Sequence, residues 1–216
     1  MDSTEKVKKR YDRNSRFFDL FESPMERLVL GGLRRSFFEK INAGGYRKIL
    51  EVGVGTGKNL PYYNGGRVTA VDISDRMLRS ARLRNERLKT GADLRVADAQ
   101  ALPFAEGSFD AALATFVFCS VPDPVQGLSE LRRVIGPRGR IYLLEHVRPT
   151  RSRLLGLLFD LLDPVVSRIT GAHINRRTLS AVERSGFEIV SRREGRGGIL
   201  QMIEAVPNRA RFNGGP

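Results

Sequence analysis

Lys48-Ile49-Leu50-Glu51-Val52-Gly53-Val54-Gly55-Thr56-Gly57 joins a short run of strand character to a turn with glycine at alternate positions. In an open α/β sheet such a junction is where a ligand site begins. Glycine lets the backbone come close to the ligand, and the N–H groups at the start of the next helix point outward toward it. Counted from Gly53 the spacing is G-x-G-x-G. The dinucleotide fingerprint requires its third glycine where Lys58 stands, so a plain Rossmann-like oxidoreductase is disfavoured.

The periodicity differs on the two sides of this stretch. Upstream, between Thr4 and Ile41, Phe17, Phe18, Leu20, Phe21, Met25, Leu28, Val29, Leu33, Phe37 and Phe38 recur at three- and four-residue spacings. That pattern predicts a helical extension, divided at Ser23-Pro24 with Ser23 as N-cap. Downstream, residues 67–71, 94–97, 111–118 and 140–146 read as short, apolar, buried strands separated by helical or turn-rich segments. The alternation predicts a parallel sheet with right-handed crossovers and helices on both faces. Residues 187–192 and 199–206, joined through Gly195, Gly197 and Gly198 with no helix between them, predict a terminal antiparallel hairpin. The expected fold is α/β and Rossmann-like: a seven-stranded, mostly parallel sheet with a C-terminal antiparallel hairpin and an N-terminal helical extension. With no repeat or linker to divide it, 1–216 reads as one domain: helical cap 1–45, cofactor-binding half 46–147, apolar and basic lid segment 148–180, terminal helix and hairpin 181–216.

Asp72 ends the second predicted strand, at a distance suited to a carboxylate that accepts ribose hydroxyls, and Ser74 follows as N-cap of a helix over 75–89. Asp98 ends the third strand at the same edge. Three consecutive strands thus finish in ligand-type residues at one end of the sheet. On these residues, from about Arg10 to Val206, the sequence resembles class I S-adenosylmethionine-dependent methyltransferases. The resemblance implies that Glu51, Gly53, Gly55 and Gly57 meet the methionine part of S-adenosylmethionine, that Asp72 with Ile73 holds its ribose, and that Asp98 with Ala99 reads its adenine. S-adenosylhomocysteine would be the product, with no metal required. The chain is further similar to the ubiquinone and menaquinone methyltransferases and their phospholipid N-methyltransferase and thiol methyltransferase relatives. That likeness is carried by Glu51 to Gly57, Cys119-Ser120-Val121, Glu145-His146-Val147, the region from Gly171 to Thr178, and Arg10-Tyr11-Asp12. After the fourth strand, the Asn/Asp-Pro-Pro-aromatic string of nucleobase amino-methyltransferases and the Pro-Cys pair of cytosine-C5 enzymes are both absent. There is no G-x-x-x-x-G-K-[ST] string and no G-x-S-x-G elbow, and two His with one Cys make no standard zinc site.

Methyl transfer from a sulfonium needs positioning, exclusion of water and an unprotonated nucleophile. Glu145 and His146, at the end of the fifth strand, are candidates for the proton transfer, although a histidine there can equally be structural. Tyr11 either closes over the sulfonium or packs the N-terminal helix. His173, Asn175, Arg176 and Arg177 are candidates for the substrate, since paired arginines suit a phosphate; exposed residues at a helix start are the alternative. Cys119 reads as a small buried hydrophobe.

Apolar residues make up 41% of the chain and charged residues 28%, a globular composition. The net charge is +13 at pH 7, and arginine supplies 30 of the 37 basic residues. Such a field either favours anionic partners or serves solubility alone. Lys6, Lys8, Lys9, Arg10, Arg13 and Arg16 precede Phe17, Phe18 and Phe21, while residues 148–172 set Leu154, Leu155, Leu157, Leu158, Phe159, Leu161 and Leu162 between basic flanks. Both segments fit either an interfacial helix or ordinary packing. A lone cysteine and the lack of a secretory-type start point to the cytoplasm, with attachment to the inner face of a membrane as the peripheral possibility. The expected activity is methylation of an amphipathic or lipid substrate, foremost phosphatidylethanolamine at a membrane surface. The alternatives are a soluble small molecule, quinone precursor or thiol, and, in another class, a non-catalytic cofactor- or nucleic-acid-binding protein. No nucleic-acid partner is expected, because the basic residues are spread without a binding motif, and no obligate protein partner is evident.

Overall fold

The strand-and-turn stretch folds as read: Lys48–Val52 is a strand (β1), buried at every residue after Lys48. The computed structural model describes residues 4–13, 31–149, 153–170, 173–195 and 199–208. The Ser23-Pro24 division, the apolar positions from Phe17 to Val29, and Gly171, Gly197 and Gly198 lie outside the described residues.

Helix α1 covers residues 4–13 and α2 covers Gly31–Ala43. After β1 come β2 (Arg67–Asp72), α3 (Asp75–Leu88), β3 (Asp93–Val96), β4 (Ala111–Thr115), α4 (Pro124–Ile135), β5 (Arg140–His146), α5 (Arg153–Thr170), α6 (Thr178–Arg184), β6 (Phe187–Glu194) and β7 (Leu200–Pro207). The seven strands lie in the order β3-β2-β1-β4-β5-β7-β6. The first five are parallel, whereas β7 runs antiparallel to both β5 and β6.

Successive strand residues point to opposite faces, which assigns each side chain to one helical layer. Leu50, Val52, Ala112, Ala114, Ile141 and Leu143 meet Leu128, Leu131 and Val134 of α4 and Ala181 and Val182 of α6. The alternate residues Ile49, Ala111, Leu113, Tyr142 and Leu144 meet Phe37, Phe38 and Ile41 of α2. Burying a large apolar side chain contributes about 1.5 to 3 kcal/mol, so these two layers hold the sheet rigid beneath its loops. Helix starts follow the caps that the sequence supplies: Ser74 Oγ accepts from Met77 N for α3, and Asp123 accepts from Val125 N and Gln126 N for α4.

Three sequence expectations are corrected. The third strand is Asp93–Val96, and it is mostly exposed, because it forms the sheet's edge. Asp98 therefore stands two residues beyond its strand, in a bridge with Ala101, while Ala97 N–H still donates to Asp72 O. The fourth strand stops at Thr115 instead of running to 118, because Phe116 takes the left-handed conformation (φ 58°) and turns the chain. For a residue with a side chain that conformation costs on the order of 1 to 3 kcal/mol, and the N–H of Phe116 bonded to Leu144 O helps hold it. Finally, α3 ends at Leu88, with Lys89 as its left-handed cap (φ 53°).

Candidate active site

β1 lies between β2 and β4, so the chain leaves it in opposite directions at the point where the strand order reverses. Such a switch point leaves a crevice beyond the carboxyl ends of the strands. The glycine turn fills its floor. A Cβ on Gly53 would come within 2.3 Å of Val117 Cγ2, so the turn and the segment after β4 are pressed together there. Gly55 differs: it has φ +54° and a Cβ there would meet nothing within 4 Å, leaving open space beside its backbone. Its N–H donates to Asp72 Oδ2 at 2.9 Å, while Ser74 N donates to Oδ1 at 2.9 Å. Burial outweighs these two bonds and pushes the Asp72 carboxyl up to about 6. Asp98 accepts from Gln100 N at 2.9 Å, and Ala99 beside it is buried.

Glu51 shares its face of β1 with Ile49 and is fully buried. Asn59 Nδ2 donates to Oε1 at 2.6 Å and the Tyr63 hydroxyl donates to Oε2 at 2.8 Å. Asn59 also donates to Thr115 Oγ1 and accepts from the buried Arg34 of α2. Burial raises the Glu51 carboxyl to about 7 against these bonds. In this arrangement Glu51 braces the segment that follows the glycine turn and ties it to α2.

Helix α1 crosses the same edge. Gln100 Nε2 donates to Thr4 Oγ1 at 3.0 Å, the Ser74 hydroxyl donates to Asp12 Oδ1 at 2.6 Å, and the Tyr11 and Ser120 hydroxyls lie 2.5 Å apart. These partners follow β3, β2 and β4 respectively, so α1 lies over three strand ends. Arg10 reaches Ser167 O of α5 at 2.9 Å, which satisfies one of the terminal carbonyls that a helix leaves without a partner of its own. Sequence reading singled out Tyr11, quoted Asp12 and Ser120 only as parts of longer strings, and did not single out Gln100, Arg34 or Asn59, whose contacts here depend on partners elsewhere in the chain.

Glu145 and His146 are neighbours in β5 and so project to opposite faces. Glu145 is fully buried, accepts Val117 N and Phe118 N at 3.0 Å each through Oε1, and is raised to about 7 by burial. Its Oε2 has no hydrogen-bond partner among the described residues. The His146 ring tilts against Phe116 with centroids 4.6 Å apart, and burial lowers its proton affinity. The structure thus does not bring the two together.

The segment before α6 is stitched to that edge. His173 N donates to Cys119 O at 2.9 Å, and His173 Nδ1 lies 2.8 Å from Asp163 Oδ2 of α5. Asp163 Oδ1 also accepts Ile174 N at 2.7 Å, and Asn175 Nδ2 donates to Asp160 at 3.3 Å. Arg176 donates through one terminal nitrogen to Val121 O at 3.0 Å, while its buried Nε has no partner among the described residues. Arg177 is exposed at the N-cap position of α6. Cys119 is buried, and its thiol is pushed up to about 12, chiefly by desolvation. Among the described residues no cluster of His, Cys, Asp and Glu suits a metal ion, and no helix is long and apolar enough to cross a membrane.

Residues 50–143 match a family described as "Methyltransferase domain". The chain is 40% identical to the phosphatidylethanolamine N-methyltransferase of Cereibacter sphaeroides, over 52% of this chain and 57% of that one. It is 30% identical to a thiol S-methyltransferase of Homo sapiens over 76% of this chain and 71% of the relative. Several of the curated relatives are matched over less than two thirds of their length, 48% to 66%. A solved S-adenosylmethionine-dependent methyltransferase from Thermotoga maritima shares the fold with a TM-score of 0.64 at 22% identity, over 90% of this chain and 98% of its own. Identity of 30% held across most of both chains, on a sheet of this order and with this glycine turn at its switch point, marks common descent, and the chain belongs to the S-adenosylmethionine-dependent methyltransferase family.

Proposed function

We propose that this protein transfers a methyl group from S-adenosylmethionine to the amine of an amphipathic acceptor at a membrane surface, foremost phosphatidylethanolamine. The observation that carries the reading is the surface of α5. Leu154, Leu157, Leu161 and Val165 are 79%, 62%, 75% and 58% exposed, with Leu158 and Leu162 beside them. These positions recur every three or four residues, so they form one apolar face, of the kind that lies in the headgroup boundary of a bilayer. Exposed Lys6, Lys9 and Arg13 on α1 and Arg168 on α5 suit an anionic surface. The 40% identical relative named for phosphatidylethanolamine supports the same acceptor.

The crevice suits the donor. Asp72 is held by backbone N–H groups of Gly55, Ser74 and Ile73, which aim its carboxylate for the ribose hydroxyls. Gly55 leaves open space for the methionine end, Gly53 and Gly57 let the turn pack closely on Val117, Leu60 and Ala81, and Asp98 with Ala99 edges the adenine. When bound, the donor supplies an electrophilic methyl carbon on a sulfonium. Tyr11 and α1 exclude water above it, and Glu145 fixes the turn after β4 through two N–H bonds. The unpartnered Nε of Arg176, together with Asn175 and Arg177, suits the acceptor's phosphate. A thiol acceptor is the second reading, favoured by the human relative.

Incubation with methyl-labelled S-adenosylmethionine and either phosphatidylethanolamine vesicles or 2-mercaptoethanol separates the two. Label in the lipid amine is the expected result. Label only in the thiol would move the assignment to the second reading, and label in neither would reject both.

A further inference from the structure

The proposed transfer needs a group to take the acceptor's proton, since an ammonium or a thiol must lose one to attack. Three candidates stand at this edge. Glu145 is fully buried, with Oε1 committed to the backbone of Val117 and Phe118, so an acceptor cannot reach it without rearrangement. His146 faces the α2 layer and stacks on Phe116, and no hydrogen bond to its ring is present among the described residues. His173 differs from both. Its side chain is 42% exposed, and Nδ1 lies 2.8 Å from a carboxylate that is itself only 10% exposed.

A carboxylate oxygen only accepts, so with Asp163 ionised the Nδ1 of His173 must carry the hydrogen and Nε2 of the neutral ring keeps its lone pair. The carboxylate is fixed in turn by Ile174 N on its other oxygen. Base, orienting acid and backbone support follow the logic by which an aspartate sets the tautomer of a general-base histidine. The location fits as well. His173 N is bonded to Cys119 O in the segment after β4, and Val117 of that segment touches the glycine turn. Asp163 belongs to α5, the helix with the exposed leucines. Asp163 lies on the buried side of that helix, so His173 sits between the cofactor crevice and α5.

We propose that the His173–Asp163 pair is the general base of the reaction, with His173 Nε2 receiving the acceptor's proton. The inference rests on the methyltransferase reading above and assigns His173 a role other than phosphate binding. The acceptor's X–H bond breaks and its proton moves to Nε2. The electron pair left on X forms the new bond to the methyl carbon as the carbon–sulfur bond breaks, its electrons remaining on sulfur as a neutral thioether. The imidazolium, paired with Asp163, then releases the proton to water. The other ionisable groups on the elements joined to this segment are Asp160, held by Arg148, Arg176 on the segment itself, and Cys119 and Tyr11 at the edge to which it is bonded.

The first test needs no substrate. The chain has two histidines, so nitrogen-15 NMR of a His146→Gln protein leaves a single imidazole to read. The neutral ring of His173 should carry its hydrogen on Nδ1, and Asp163→Asn should shift that tautomer balance. A ring protonated on Nε2, or one indifferent to Asp163→Asn, overturns the proposal. The second test is kinetic, with phosphatidylethanolamine vesicles and 2-mercaptoethanol as probes. His173→Gln should lower kcat about 100-fold or more with S-adenosylmethionine affinity retained. Added imidazole should restore turnover to His173→Gly, and the deficit with the thiol should shrink once the pH exceeds the thiol's own pKa. A folded His173→Gln protein with unchanged kcat would overturn the assignment. If the wild-type chain methylates neither probe, the substrate reading has failed, and the tautomer measurement alone decides for or against the pair.

Discussion

Asp72 shows how burial and ligand chemistry oppose each other at one residue. Desolvation raises its carboxyl to about 6, against the bonds from Ser74 N and Gly55 N. On the proposed reading, ribose hydroxyls donate to the ionised form, so cofactor binding would lower this pKa and release a proton. The sign follows: affinity for S-adenosylmethionine should rise as pH increases through about 6 and level off above it. Asp72→Ala should cost about 1.5 to 3 kcal/mol of binding at neutral pH, and Asp72→Asn should flatten the pH dependence. Calorimetry from pH 5 to 8 measures both, and equal slopes in wild type and Asp72→Asn would remove this carboxylate from the binding step. Asp72 was legible in the sequence because its position at a strand end is a local property. Arg34 and Asn59 were not: each acts through a partner 8 to 25 residues away whose approach only the folded sheet creates.

Among the elements, α1 is bonded to the loops after three strands, which on the proposed reading a bound donor must pass. Removing two of them, Tyr11 to Ser120 and Asp12 to Ser74, should weaken closure by about 1 to 3 kcal/mol at the usual net value of a hydrogen bond. A Tyr11→Phe, Asp12→Ala double variant should therefore release S-adenosylhomocysteine several-fold faster in stopped-flow displacement, with its melting temperature little changed. An unaltered release rate would mean that α1 rests on the edge without gating it. The strands were legible because four of the five parallel ones are apolar and sit inside the sheet. The edge strand β3 was misread as buried, since its residues alone do not reveal that one side lacks a neighbour. The apolar run from Leu154 was visible as a sequence pattern too, yet whether it faced core or solvent depended on what packs beside α5.

At the scale of the whole molecule, the proposed membrane reading joins the net charge of +13 to the apolar face of α5. Each basic residue near an anionic surface adds about 1 kcal/mol of attraction, and salt shortens its reach to roughly 8 Å at physiological strength. Sedimentation should show binding to anionic vesicles, little to neutral ones, and loss at high salt. Leu157→Asp with Leu161→Asp should abolish the remainder while leaving cofactor affinity intact, because neither residue belongs to the crevice. Equal binding to neutral and anionic vesicles, or none to either, would leave the charge as a matter of solubility.

The position of β7 has a consequence for how the chain is made. It follows β6 in sequence but is inserted between β5 and β6, pairing from Ile141 to His146 on one side and from Phe187 to Glu194 on the other. During synthesis the amino-terminal strands can pair as they emerge, whereas β5 keeps an open edge until residues 200–207 arrive, and β6 has no place in the sheet before then. The sheet is closed from within by the last of its seven strands to be translated, so a ribosome that stalls just short of Leu200 would leave unpaired the two strand edges that β7 covers, the kind of surface that invites aggregation.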